Sequence, residues 1–72
     1  MTITVECQDC NMSFTKIIDE NTLNECAVET RSMGAERQFE IPINFRCPNC
    51  KKTLTKINVF EYPEGIYTAI AE

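Results

Sequence analysis

The segment CPNCKK, residues 47–52, places Cys47 and Cys50 three positions apart around a proline and an asparagine. The segment CQDC, residues 7–10, repeats this spacing near the start of the chain. A Cys-x-x-Cys loop turns the chain so that both sulfur atoms face one point, and two such loops supply four sulfurs. The sequence therefore predicts a single metal site formed by Cys7, Cys10, Cys47 and Cys50.

Length and composition favour a metal over disulfide bonds. The chain has 72 residues, 43 % of them hydrophobic, which is enough for one globular domain, 1–72. Domains this short often need a metal, disulfides or a partner for stability. The N-terminus lacks the pattern of a secretory signal and no apolar run is long enough to span a membrane, so a cytoplasmic protein is expected. Thiols stay reduced in that compartment.

The donor set predicts one structural Zn²⁺ ion. Four thiolates complete a tetrahedral shell, whereas catalytic zinc keeps one position open for water. The sequence contains no histidine, no nucleophile motif and no distinctive carboxylate pair, so we expect no enzymatic activity. Iron is an alternative, because four thiolates bind either metal.

Two redox interpretations compete with zinc. Residues 47–50 resemble the Cys-Pro-x-Cys of rubredoxins, and that resemblance implies one iron ion and electron transfer. The chain departs from rubredoxins at Asn11 and Lys51, where they favour glycine, and it has no tryptophan. Thioredoxin-like sites place one Cys-x-x-Cys at a helix start, whereas strand-like segments precede both pairs here. The fifth cysteine, Cys26, is predicted to be a small buried hydrophobic residue.

Alternating apolar residues predict a protein rich in β-strands. The predicted strands are residues 2–7, 12–18, 37–47, 53–62 and 66–71. In the third of these, the side chains predicted to point inward are Phe39, Ile41, Ile43 and Phe45. Pro42 lacks an N–H group and predicts an edge strand or a bulge. The segment PEG, residues 63–65, predicts a turn in which Gly65 takes a positive φ.

The middle of the chain allows two interpretations. Residues 19–24 are polar and predict a loop or one helical turn. Residues 21–34 fit a helix ending at Gly34, or residues 25–31 form a hairpin with residues 37–47. We favour the hairpin, because β-branched and aromatic residues dominate, and it would set Glu29 opposite Arg37.

The predicted fold is a small all-β domain in which one four-cysteine metal site clips antiparallel hairpins together. This arrangement resembles the zinc-ribbon class. The order RSMGAERQFE, CPNC and VFEYPEG is similar to small bacterial and phage zinc ribbons with Met-Gly-x-Glu, Cys-Pro-x-Cys and Glu-Tyr-Pro-x-Gly segments. Some of these are fused to larger bacterial proteins, including genome-defence proteins. The resemblance implies the fold and zinc but no active site. Glycine commonly follows their second cysteine pair, so Lys51 is expected to carry backbone strain.

The favoured function is a zinc-stabilised protein-binding, adaptor or regulatory module. Its candidate surface is the turn FEYPEGIY, where an edge strand or apolar patch would meet a protein partner. The candidate partner-binding residues are Phe60, Glu61, Tyr62, Glu64 and Tyr67.

The alternative function is nucleic-acid binding by a basic cluster near the second cysteine pair. The candidate residues are Arg46, Lys51, Lys52 and Lys56, with Phe45 or Phe60 as a stacking surface. A formal net charge of −4 counts against it. These cations would also offset the charge of about −2 on a zinc ion with four thiolates.

Overall fold

The computed structural model describes residues 1–29 and 34–72, and these form a β-rich chain, as predicted. The elements within the described ranges are β1 (Thr2–Cys7), β2 (Ser13–Ile17), α1 (Glu20–Glu25), β3 (Ala27–Val28), β4 (Arg37–Arg46), β5 (Thr53–Tyr62), a 3₁₀ turn (Pro63–Gly65) and β6 (Ile66–Ala71).

The strands form one mixed sheet in the order β2-β1-β6-β5-β4-β3. The hairpins β1–β2, β4–β5 and β5–β6 are antiparallel, as predicted. Strands β1 and β6 pair in parallel, with Val5 opposite Ala69 and Cys7 opposite Ala71. That pairing joins the two ends of the chain and had not been predicted, because each strand alone carries no signal for its distant neighbour.

One face of the sheet holds the core, and the sheet curves around it. Leu23 of α1 adds to this face. Phe14 of β2 and Phe45 of β4 have ring centroids 4.8 Å apart, although three strands separate β2 from β4 in the sheet order. The curvature therefore brings two distant strands together over the core. The buried apolar residues are Ile3, Val5, Cys7, Ile18, Leu23, Phe39, Ile41, Cys47, Leu54, Ile57, Val59, Ala69 and Ala71.

A bulge explains why β5 has apolar residues at both even and odd positions. The Glu72 carbonyl accepts hydrogen bonds from the N–H groups of Thr55 and Lys56, at 2.8 and 3.4 Å. Two residues of β5 thus oppose one, which is the pattern of a β-bulge. The extra residue lets Leu54 and Ile57, three positions apart, both be fully buried.

A second irregularity lies at Pro42, as predicted. The N–H of Glu40 donates to the Cys26 carbonyl at 2.9 Å, so Pro42, two residues later, faces the same edge beyond the end of β3. The proline therefore removes no strand-pairing hydrogen bond there. The register shifts between Pro42 and Phe45. Phe45 points to the core side, as predicted, since it lies opposite buried Leu54 and against Phe14, but its place at the rim leaves it 36 % exposed.

The middle of the chain contains a short helix followed by a short hairpin strand, so each of the two interpretations holds for part of it. The helix Glu20–Glu25 includes the start of the predicted strand 25–31, so the strand assignment is wrong at residue 25. The hairpin is confirmed at Ala27–Val28, which pair with Phe39 and Gln38. Residues 30–33, which hold the end of that strand and part of the predicted turn, lie outside the described residues.

The register of β3 and β4 pairs Val28 with Gln38 and so leads to Glu29 opposite Arg37, as predicted, but the salt bridge of Arg37 goes to β5. The guanidinium of Arg37 donates two hydrogen bonds to the carboxylate of Glu61, at 2.7 and 2.8 Å. Glu61 lies directly opposite Arg37 on β5.

Candidate metal centre

The first Cys-x-x-Cys loop connects β1 to β2. Two backbone hydrogen bonds close it, one donated and one accepted by Cys7. The Cys7 N–H donates to the Met12 carbonyl at 2.8 Å, and the Asn11 N–H donates to the Cys7 carbonyl at 2.8 Å. Asn11 has a φ of 60°, in the left-handed region. Asparagine tolerates this region better than most residues, because its short side chain bonds locally.

The second loop connects β4 to β5 with the same pattern. The Cys47 N–H donates to the Lys52 carbonyl and the Lys51 N–H donates to the Cys47 carbonyl, both at 2.9 Å. Lys51 has a φ of 66°, so the strain expected at this position is present. The loops are thus structural repeats, each presenting two sulfurs to one side.

The four predicted cysteines meet above the end of β6. The sulfur of Cys7 lies 3.7 Å from that of Cys50, and the sulfur of Cys10 lies 3.6 Å from that of Cys47. All four sulfurs lie within 4.8 Å of one another. A disulfide would bring two sulfurs to about 2.05 Å. Tetrahedral Zn–S bonds of about 2.3 Å put neighbouring sulfurs about 3.8 Å apart. The spacing therefore matches four ligands around one ion.

The two loops bury their cysteines in the same way. Cys7 and Cys47, the first cysteine of each loop, are fully buried, while Cys10 and Cys50 are half-buried. The Gln8 N–H donates to the Ala71 carbonyl at 3.1 Å, which ties the first loop to the end of β6. The site therefore forms the top of the core and is not a separate surface feature.

Hydrogen bonds to sulfur make the two outer thiols unequal in the metal-free chain. The Asn49 side chain, helped by the Met12 backbone, lowers the pKa of Cys10 to about 6. The Lys52 backbone lowers the pKa of Cys50, but burial and the other three thiols outweigh it and raise that pKa to about 12. A bound cation would favour the thiolate form of every ligand.

Asn49 is the site residue that sequence reasoning missed. Its side chain reaches from the second loop to the sulfur of Cys10 in the first. The available signal was the amide within CPNC, at a position that can donate a hydrogen bond to a neighbouring thiolate. Such outer contacts orient ligands and tune the metal.

Two of the three cations near the second loop, Arg46 and Lys52, are engaged within the chain. Arg46 Nε donates to the Lys51 carbonyl at 3.2 Å. Lys52 Nζ lies 3.3 Å from Asp9 Oδ1, which links the two loops across the site. Both partners of that ion pair are about half exposed, so it contributes about 0–1 kcal/mol.

Lys56 lies apart from the other three cations. Its ammonium group is 3.5 Å from Glu72 and 3.8 Å from Glu40. Three of the four candidate nucleic-acid residues thus stand near the metal site, and the fourth is held among carboxylates.

The candidate partner-binding residues are divided between the two faces of the sheet. Phe60 and Tyr62 point away from the core, since they alternate with buried Val59. Glu61 and Tyr67 lie opposite one another on the inner side. Glu64 is exposed in the turn, with a φ of 70°. The five residues therefore do not form one surface.

Glu61 is the centre of a hydrogen-bonded network across β4, β5 and β6. Besides Arg37, it accepts a hydrogen bond of 2.6 Å from the Tyr67 hydroxyl. Arg37, followed by Tyr67, lowers the pKa of Glu61 to about 2, and Glu61 in turn raises the pKa of Tyr67. The network fastens three strands near the turn.

The fifth cysteine stands outside the four-sulfur cluster. Cys26 caps the C-terminus of α1 and packs, half-buried, against the core. Its predicted apolar packing is confirmed, although its burial is partial.

No protein-family model, curated protein or solved structure matches the chain. Across residues 1–29 and 34–72, no helix is long and apolar enough to cross a bilayer. The fold and the four clustered sulfurs define a small β-rich chain with a zinc-ribbon-like metal site.

Proposed function

We propose that the chain binds one structural Zn²⁺ ion through its four clustered cysteines and acts as a non-enzymatic protein-binding module, adaptor or regulator. The observation that supports this most is the sulfur spacing of 3.6 and 3.7 Å between opposite loops. Four protein ligands leave no open position for water or substrate, which is the property of structural zinc.

The choice between zinc and iron is tested by elemental analysis and the visible spectrum of the purified protein. We expect one zinc per chain and no colour, since Zn²⁺ has a filled d shell. A red protein with one iron would instead favour rubredoxin-like electron transfer.

The binding role is tested by affinity capture from the native host with the zinc-loaded chain, followed by mass spectrometry. A metal-free variant with Cys7 and Cys47 both changed to serine is the control, because it should not present a folded surface. We expect a protein that the folded chain retains and the variant does not. The resemblance to bacterial and phage domains makes a larger bacterial protein the expected partner, genome-defence proteins included.

The ion pairs of Lys52 and Lys56 count against nucleic-acid binding, because carboxylates occupy two of the four candidate cations. Reversing Lys51 and Lys52 to glutamate is expected to leave function unchanged. A loss of specific nucleic-acid affinity in that variant would favour the alternative.

A further inference from the structure

The face of the sheet opposite the core carries exposed apolar side chains. Ile66 and Ile70 of β6 are 56 % and 38 % exposed, and Val28 of β3 is 40 % exposed. Phe60 and Tyr62 of β5 are half-buried on the same face. The strand register places them on one area of this face: Tyr62 lies opposite Ile66, and Phe60 lies opposite Thr68, which separates Ile66 from Ile70. Gln38 lies between Phe60 and Val28. We call Val28, Phe60, Tyr62, Ile66 and Ile70 the outer patch.

The apolar residues of β6 are not distributed as expected for a strand whose outer face is only solvated. Its core-facing positions include the small residues Ala69 and Ala71, while Ile66 and Ile70 point outward. An antiparallel sheet with one solvated face normally places large apolar residues inward and polar residues outward. Such local contradictions of the folding pattern concentrate at functional surfaces, and contiguous exposed apolar patches mark interaction sites.

An acidic edge borders the outer patch at the end near the metal site. Glu6 lies beside Ile70 on the neighbouring strand, and Glu40 lies two strands away in the same row, opposite Asn58. Glu72 follows β6. Lys56 is the one cationic residue among the described residues of this region. Its ammonium group lies 3.8 Å from Glu40 and 3.5 Å from Glu72. The edge therefore keeps a negative balance.

Two amide oxygens on this face, one of Asn58 beside the acidic edge and one of Gln38 within the outer patch, have no hydrogen-bond donor among the described residues. Asn58 is 8 % exposed, yet its Oδ1 has no partner within the described residues, and neither has Gln38 Oε1. A buried acceptor without a donor costs about 1–3 kcal/mol. Both oxygens lie just beneath the surface and add partial negative charge to a row that already holds Glu40 and Glu72, so a cationic side chain above this row matches its charge.

We infer that the outer patch is the docking surface of a protein partner that is apolar at its centre and carries lysine or arginine where it meets Glu6, Glu40 and Glu72. This inference rests on the proposed binding function and names the chemistry of its partner. A second copy of the chain would bring the same acidic edge and the same net charge of −4, so like charges oppose self-association.

The first test maps binding of a short amphipathic peptide of leucine and lysine by amide chemical shifts of the ¹⁵N-labelled, zinc-loaded chain. A leucine–glutamate peptide of the same length and pattern is the control. We expect saturable shifts at the outer faces of β5 and β6 with the lysine peptide, reduced by high salt. Equal binding of the glutamate peptide, shifts confined to other surfaces, or no saturable shift would each overturn the inference.

The second test uses matched substitutions. Ile66→Thr together with Ile70→Thr should weaken lysine-peptide binding about tenfold or more, since apolar anchors dominate interfaces. Ile17→Thr makes the same change at a 78 % exposed residue on the same face of β2, away from the outer patch, and should have no effect. Threonine suits strands, so the variants should fold. An equal loss with Ile17→Thr would refute the assignment, as would unchanged binding of the lysine peptide by the double variant.

Charge is tested in the same assay. Glu40→Gln is expected to weaken binding several-fold, and Glu20→Gln, an exposed carboxylate on α1, is expected to leave it unchanged. Sedimentation of the free chain should give a monomer, whereas a dimer dispersed by Ile66→Thr would assign the outer patch to a second copy. If the outer-patch variants still retain the partner captured by the native chain, this inference fails while the binding function stands. If the native chain captures no partner, the binding function fails instead.

Discussion

At the scale of single residues, the clearest departure from local preference is Lys51. Its φ of 66° closes the second cysteine loop, at the position equivalent to Asn11 in the first. A residue with a Cβ atom is disfavoured there by about 1–2 kcal/mol, and glycine escapes that cost. The lysine is thus tolerated because the loop needs the conformation, and its side chain plays no part in forming it.

Lys51→Gly is expected to stabilise the zinc-loaded protein by about 1 kcal/mol, because it relieves the left-handed strain. Denaturant unfolding in excess zinc measures the change. Lys52→Gly is the control, since Lys52 has no positive φ and should lose stability or stay unchanged. An equal or greater gain from Lys52→Gly would contradict the explanation.

The hydrogen bond between Tyr67 and Glu61 makes a second prediction at this scale. The carboxylate of Glu61 raises the pKa of Tyr67 above its ordinary value of 10.0. Because the folded pKa is the higher one, this bond stabilises the protein fully below pH 10, and the contribution is lost as pH rises through the raised pKa. Glu61 has the opposite sign, since its pKa falls from 4.5 to about 2, so its contribution is lost as pH falls through that range.

Absorbance of ionised tyrosine measures the effect in a Tyr62→Phe background, where Tyr67 is the remaining tyrosine of the two. We expect its midpoint to move down towards 10 when Glu61→Gln is added, because the amide carries no charge. Glu64→Gln, in the exposed turn, should leave the midpoint in place. A midpoint unmoved by Glu61→Gln would show that the hydrogen bond does not hold the phenol in its neutral form.

At the scale of secondary-structure elements, the contact of Phe14 with Phe45 reports the curvature of the sheet. These rings come from β2 and β4, whose backbones do not pair, and they meet at 4.8 Å with their planes 33° apart. The contact exists only if β1, β6 and β5 curve between them.

A double-mutant cycle with Phe14→Leu and Phe45→Leu is expected to give a coupling free energy of about 0.5–1.5 kcal/mol, the range for aromatic pairs. Chemical denaturation of the four proteins measures it. Phe60→Leu combined with Phe14→Leu is the control pair, since Phe60 lies on the outer face and should add independently. Additive losses for the first pair would mean that the sheet is flatter in solution.

The elements also show how far the sequence predicts this fold. Alternation located β1, β2, β4, β5 and β6, because each turns alternate residues to the core side, although β2 contributes only half-buried Phe14. It placed Phe45 on the core side but did not show that its ring lies at the rim, 36 % exposed, because exposure depends on the neighbouring strands. The pairing of β1 with β6 was out of reach for the same reason, because strand partners are a property of the assembled sheet.

The sequence predicted the metal site more completely than it predicted the proposed partner surface. Two Cys-x-x-Cys loops carry their own geometry in local backbone hydrogen bonds, so the four ligands follow from spacing alone. The proposed partner surface depends on which side of β5 and β6 each residue faces. Glu61 and Tyr62 are adjacent at the end of β5 and point to opposite faces, and their polarity did not indicate that the glutamate is the one on the core side.

At the scale of the whole molecule, the metal site and the hydrophobic core are one structure. Cys7 and Cys47 are fully buried and belong to the same apolar cluster as Val5 and Leu54. Apart from α1, the described residues offer no second layer to cover the core, so closure depends on the cysteine loops at one end. A structural zinc ion in such a site contributes about 10–16 kcal/mol, as much as the entire stability of many domains.

Removal of the metal is therefore expected to unfold the whole chain. Addition of a strong chelator should abolish amide chemical-shift dispersion across all strands together, and added zinc should restore it, because ligands and core share the same residues. Cys47→Ser should abolish both metal binding and the fold, while Cys26→Ser, which changes a half-buried cysteine outside the cluster, should keep one metal and a cooperative unfolding transition. Circular dichroism and elemental analysis of the same samples check both variants. A chelated chain that still unfolds cooperatively would show that the curved sheet holds its core without the ion.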